Sequence, residues 1–123
     1  MYLRLVITRR DEESSRKQGV FTPAYALLDG CTLPAAEHER LADLVAWFER
    51  YLPLPDRSKL ERRTIFWFRS DATWLIRKIW GIVNILRHNG FHVELLKTAR
   101  PGYIRYEDAY QVAATPFRDS RLE

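Results

Sequence analysis

The stretch TIFWFRSDATWLIRKIWGIVNILRHNGFHVELLK, residues 64–97, decides the fold. It reads as strand, helix, strand. Ile65-Phe66-Trp67-Phe68 is apolar on both faces, the pattern of a strand covered on two sides. Ser70 stands at an N-cap position, where a hydroxyl accepts a backbone N–H, and Asp71 follows at the positive end of the helix dipole. At about 100° per residue, Ala72, Leu75, Ile76, Ile79, Ile82, Val83 and Leu86 share one broad face. Leu75, Ile79 and Val83 are expected to lie deepest against the sheet. Asn89-Gly90 supplies the left-handed residue that ends the helix. Trp74 breaks the amphipathic plan, lying opposite the apolar centre with Arg77, Lys78, Gly81, Ile85 and His88.

Before this unit, Tyr2–Thr8 sets Leu3, Leu5 and Ile7 against Tyr2, Arg4 and Val6, a strand with at least one buried face. The polar, charged run from Arg9 to Gly19 (9–19) is expected as a mobile surface loop. Thr22-Pro23 and Asp29-Gly30 bracket a short helix. Pro34 opens a second, with Leu41, Leu44, Val45, Phe48 and Leu52 as its apolar stripe, and Pro53 and Pro55 stop it. Arg57 to Arg63 forms a basic connector. After the central unit, Pro101-Gly102 leads into strands at Tyr103–Tyr106 and Tyr110–Thr115, and a charged tail (116–123) is expected to fray.

The element order is β-α-α-β-α-β-β-β. It predicts an α+β fold, a two- or three-layer α/β sandwich on a mixed sheet of about five strands, the last three an antiparallel meander. Ile104 and Val112 must share a face, which predicts an odd turn at Glu107–Ala109. Ile104 then opposes Val112, and Glu94 opposes Arg105.

At 123 residues the chain is expected to form a single domain, 1–123, and 46% hydrophobic with 13% aromatic residues is a globular composition. No apolar run approaches the roughly 20 residues of a membrane helix, so no membrane partner is expected. The N-terminus begins as a strand and lacks a signal-peptide layout, which makes a cytoplasmic location the expectation. Cys31 has no second cysteine to pair with and reads as a structural thiol. With three scattered histidines it forms no zinc pattern, and no metal or cofactor is expected. A net charge of +4 and a pI near 9.5 permit a polyanionic partner without demanding one.

Gln18-Gly19-Val20-Phe21, Trp47-Phe48 with Leu52-Pro53-Leu54-Pro55, and Pro101-Gly102-Tyr103-Ile104 with Tyr106-Glu107-Asp108 and Gln111-Val112-Ala113 resemble a family of small uncharacterised bacterial proteins. The likeness spans most of the chain. It implies a bacterial source and carries no activity.

No phosphate-binding glycine loop, HExxH, GxSxG or CxxC pair is present. Three weaker groupings remain. Arg62, Arg63, Arg69, Trp74, Arg77 and Lys78 could neutralise phosphates while Trp74 stacks on a base, or they form a solvated helix face. His92, Glu94, Arg105, Glu107 and Gln111 could form an acid–base site on the last three strands, or a cross-strand salt bridge on an open face. Trp74, Gly81 and Ile85 lie on one line suited to an oligomer interface, or to an intramolecular helix contact. The leading expectation is a non-enzymatic binding or regulatory module, with a second copy of the chain or nucleic acid as candidate partners. The alternative is a small enzyme using the polar face around His92, Glu94 and Arg105.

Overall fold

Two-residue alternation and 3.6-residue periodicity divide the described residues into six strands and three helices. They are β1 (Tyr2–Arg10), β2 (Lys17–Gly19), α1 (Phe21–Gly30), α2 (Ala35–Tyr51), β3 (Ile65–Arg69), α3 (Thr73–His88), β4 (Val93–Thr98), β5 (Tyr103–Glu107) and β6 (Gln111–Thr115), with a 3-10 turn at Arg57–Lys59. The computed structural model describes residues 1–10, 17–55 and 57–117. The expected loop at 9–19 is therefore partly strand, as the end of β1 and all of β2, and residues 11–16 lie outside the described set. Of the expected tail, Pro116 is buried and Phe117 packs edge-on against Tyr103, while 118–123 lie outside the described residues. No helix among the described residues is long and apolar enough to cross a membrane.

The helix faces follow the 3.6-residue pattern. Leu75, Ile79, Ile82, Val83 and Leu86 of α3 are buried, as are Leu41, Val45 and Phe48 of α2. Two helix starts differ from expectation. Helix α1 begins ahead of Thr22, and Cys31 rather than Gly30 takes the left-handed conformation at its end, with φ 51°. Ser70 does not cap α3, because the helix begins only at Thr73 and no side chain caps it. Asp71 is held instead by the Arg69 guanidinium, through Nε at 3.2 Å and a second nitrogen at 3.1 Å.

All strand pairings among the described residues are antiparallel, so the sheet is not mixed. Strand β1 lies at its centre. Residues Tyr2–Ile7 pair with Thr98–Val93 of β4 along one edge. The other edge is shared, by β3 at Tyr2 and Leu3 and by β2 from Val6 to Arg10. Beyond β3 come β6 and then β5. The expected meander is thus incomplete, since β4 pairs with β1 and only the β5–β6 hairpin forms. The reason is α3: it carries the chain back so that β3 and β4 run the same way, with antiparallel β1 between them.

The hairpin register also differs. Glu107 opposes Val112, and the Asp108 N–H donates to the Gln111 carbonyl at 3.0 Å, leaving a turn of Ala109 and Tyr110. The Asp108 carboxylate accepts the N–H groups of Tyr110 and Gln111, which fixes this turn. A register shift at Arg105 then sets Ile104 opposite Ala114. Ile104 and Val112 do share a face, but a bulge supplies the odd residue rather than the turn.

Only two residue pairs join β1 to β3, so the sheet consists of two three-stranded halves, β4-β1-β2 and β3-β6-β5. The link Ala99–Gly102 forces them to fold over one another. Thr98 ends one outer strand and Tyr103 begins the other. Five residue steps reach at most about 18 Å, whereas four interstrand spacings in a flat sheet come to about 19 Å before any offset along the strands. The fold-over creates a second core. Leu5, Ile7 and Val93 pack with the helices on one face, while Ile65, Trp67 and Val112 cluster with Tyr2 and Leu96 on the other. Trp67 is 1% exposed without touching the helical layer's cluster.

Gly102 completes the link with φ +133°, and a Cβ there would stand 2.1 Å from the Thr115 carbonyl oxygen. Gly102→Ala should therefore cost at least about 2 kcal/mol in urea unfolding, from backbone strain plus a clash with an immobile strand. A second check is electrostatic. The Tyr25 hydroxyl of α1 donates to Glu49 of α2 at 2.5 Å, and this bond, with some burial, pushes the phenol up to about 12. A raised pKa means the bond's stabilisation is complete below pH 10 and lost as pH rises toward 12. In urea midpoints measured from pH 9 to 12, Tyr25→Phe should flatten the alkaline decline.

Candidate functional site

Where α2 ends and α3 begins, four rings line up on the surface. Trp74, in the first turn of α3, is 47% exposed. It meets Trp47 of α2 edge-to-face, with ring centres 5.0 Å apart, and Tyr110 of the β5–β6 turn at 5.5 Å. Tyr51, one turn beyond Trp47, continues the row at 5.3 Å and is also exposed. The two perpendicular contacts of Trp74 match ring edges to ring faces and contribute about 0.5–1.5 kcal/mol each, while the Trp47–Tyr51 pair is tilted.

Cations flank the row. The Lys78 ammonium stands 5.5 Å from the centre of the Trp47 ring, and the Arg50 guanidinium 5.3 Å from that of Tyr51. Arg77 is exposed on the same helix. The close approach of α2 and α3 positions these groups. A Cβ on Gly81 would lie 3.0 Å from the Leu44 side chain, so the missing side chain lets the helices meet.

That contact also answers the interface expectation for Gly81 and Ile85. Gly81 faces α2, and Ile85 is 0% exposed in the main core, so neither offers a surface to a partner. Only Trp74 of that line is exposed. The basic grouping divides as well. Arg62 and Arg63 are exposed in the turn before β3, some 20 Å of extended chain from Arg69. Arg69 is engaged by Asp71 and, at 3.8 Å, by Glu107, and its guanidinium holds the Asp71 carboxyl below the usual carboxylate range. Trp74, Arg77 and Lys78 stay together.

The acid–base grouping is not assembled. His92 and Glu94 pair with each other at 3.6 Å beside and on β4, at one edge of the sheet. Arg105, on β5 at the other edge, binds Glu61 at 3.0 Å and Thr115 at 3.2 Å. Gln111 is buried and donates to the Pro53 carbonyl at 2.7 Å and to Asp108. Each residue has a structural contact, and the pairing of β4 with β1 keeps His92 and Glu94 from Arg105. No group of three His, Cys, Asp or Glu among the described residues could hold a metal ion.

Trp47, Tyr51, Tyr110 and Arg50 are members of the row that the sequence reading did not single out. The available signal was the i, i+4 spacing of Trp47 and Tyr51 beside the buried stripe of α2. Comparison with protein-family models, curated proteins and solved structures finds no match. The resemblance to small bacterial proteins therefore rests on its sequence motifs alone.

The geometry places Trp74 outside the main core. Trp74→Ala should cost about 1–3 kcal/mol, the worth of two edge contacts, whereas Ile79→Ala should cost about 2–5 kcal/mol. Chemical denaturation of the two variants decides this, and a loss clearly above about 3 kcal/mol for Trp74 would make it a core residue.

Proposed function

We propose that this chain is a non-enzymatic binding module that takes single-stranded nucleic acid on the row Tyr51, Trp47, Trp74 and Tyr110. The observation that carries the reading is the half-exposed Trp74 ring beside Trp47, with Lys78 over the latter. A base has an apolar face that stacks on such a ring whatever its identity, while the phosphates of the strand seek the cations along the row. Arg50, Arg77 and Lys78 provide three positive charges along the row, and the net charge of +4 favours a polyanion. The expected cytoplasmic location suits such a ligand. A second copy of the chain is the competing occupant, since Tyr51 and the 81% exposed Leu54 also offer apolar surface nearby.

Fluorescence anisotropy with short mixed-sequence single strands tests this. Three phosphate contacts predict a slope of log K on log[salt] of about −2, a fifteen- to twentyfold loss from roughly 50 to 200 mM salt. Replacing both Arg77 and Lys78 with Gln should reduce the slope to about −0.7. Trp74→Ala should weaken binding about five- to 150-fold. Absence of binding at low salt, or binding indifferent to salt, would overturn the proposal. Sedimentation that instead finds a dimer abolished by Trp74→Ala would assign the row to a second copy.

A further inference from the structure

The aromatic row has a counterpart at the other end of the β5–β6 hairpin. Tyr103, the first residue of β5, is 56% exposed and meets the half-buried Phe117 edge-on, with ring centres 4.8 Å apart. Each ring carries a cation. The Arg100 guanidinium stands 5.0 Å from the centre of Phe117, and that of Arg105 stands 5.6 Å from the centre of Tyr103. This repeats the arrangement of Lys78 over Trp47 and Arg50 over Tyr51.

The register puts both platforms on one side of the hairpin. Tyr103 opposes Thr115 and Tyr106 opposes Ala113, and residues two apart on β6 point to the same face. Gln111 shares that face and donates to the carbonyl of Pro53, two residues beyond Tyr51. The face is therefore the row's own side, with the half-buried Tyr106 between the two platforms. From Tyr110 to Thr115 the hairpin runs about 17 Å, the length of about five stacked nucleotides.

The acidic groups nearby are already engaged. Glu107 opposes Val112 and so points to the other face, where Arg69 stands 3.8 Å away. The Asp108 carboxylate accepts from Tyr106, Tyr110 and Gln111. Glu61 binds Arg105 at 3.0 Å, which leaves Arg100 as the cation of this platform for a phosphate. Arg100 is exposed and forms no ion pair among the described residues.

We infer that a nucleic-acid single strand leaving the row at Tyr110 continues along this face of the hairpin to a second platform, where a base stacks on Tyr103 and a phosphate meets Arg100. The inference rests on the reading of the row as a nucleic-acid site and extends its footprint.

Fluorescence anisotropy with labelled tetra- and dodecathymidylate tests it. The shorter strand fills the row alone, and the longer one reaches both platforms. Tyr103→Ala combined with Arg100→Gln should weaken the dodecamer about fivefold or more and leave the tetramer unchanged. Salt dependence gives a separate readout. The slope of log K on log[salt] should be steeper by about 0.7 for the dodecamer than for the tetramer, and Arg100→Gln alone should remove the difference. A dodecamer unaffected by the double variant would overturn the second platform and leave the row standing. Equal losses for both lengths in a natively folded variant would overturn it as well. If neither strand binds the wild-type chain at low salt, the row falls and its extension with it. Should the double variant fail to fold, the wild-type difference in slope decides.

Discussion

Four residues, Ala99 to Gly102, join the two outer strands of the sheet, and they are too few to cross it flat. Everything on the face away from the helices depends on that shortage. The two halves of the sheet must close toward each other, and Trp67 is buried between them without help from a helix. Gly102 pays a steric toll that no other residue could meet, passing against the Thr115 carbonyl where a Cβ would collide. The same coiling parts β1 from β3 after two residue pairs, and β2 joins β1 where β3 has left it. A strained link, a second core and a fork are thus one structural fact seen at three places.

The helical layer was legible in the sequence because its information is local. The stripe of α3 from Ala72 to Leu86 repeats every 3.6 residues, and those residues bury as the stripe requires, Ile76 only in part. Strand β3 was legible for the same reason: Ile65 and Trp67 serve one core while Phe68 packs against the other. Strand partners were not legible. Nothing in Val93–Thr98 says whether it lies beside β5 or β1, since alternation assigns faces and is silent about neighbours. The bulge at Arg105 shows the limit well. Alternation requires Ile104 and Val112 to share a face, yet it cannot say whether a turn or a bulge supplies the extra residue.

The candidate site was legible in part, and its gaps have the same origin. Trp74 stands out from its helix because it violates a local pattern. Its neighbours Trp47 and Tyr110 are joined to it only by tertiary packing, across elements far apart in sequence. Ile85 and Gly81 lie on the same helical line as Trp74, but α2 covers that line partway along. Coverage by a second helix is a property of the assembled layer, and the polar grouping of His92 with Arg105 dissolved for a like reason once β4 took its place beside β1.

The central position of β1 has a consequence for how the molecule is made. Tyr2 pairs with Thr98 and Leu3 with Phe68, so nearly the whole chain must exist before β1 is enclosed. During synthesis its sole early neighbour is β2, on part of one edge. Contacts of such long sequence separation close slowly, because loop entropy is lost before any pairing compensates it. Until then Leu3, Leu5, Val6 and Ile7 form an apolar strand with an open edge, the kind of segment that recruits other chains. The fold therefore leaves an apolar strand waiting for partners of long sequence separation.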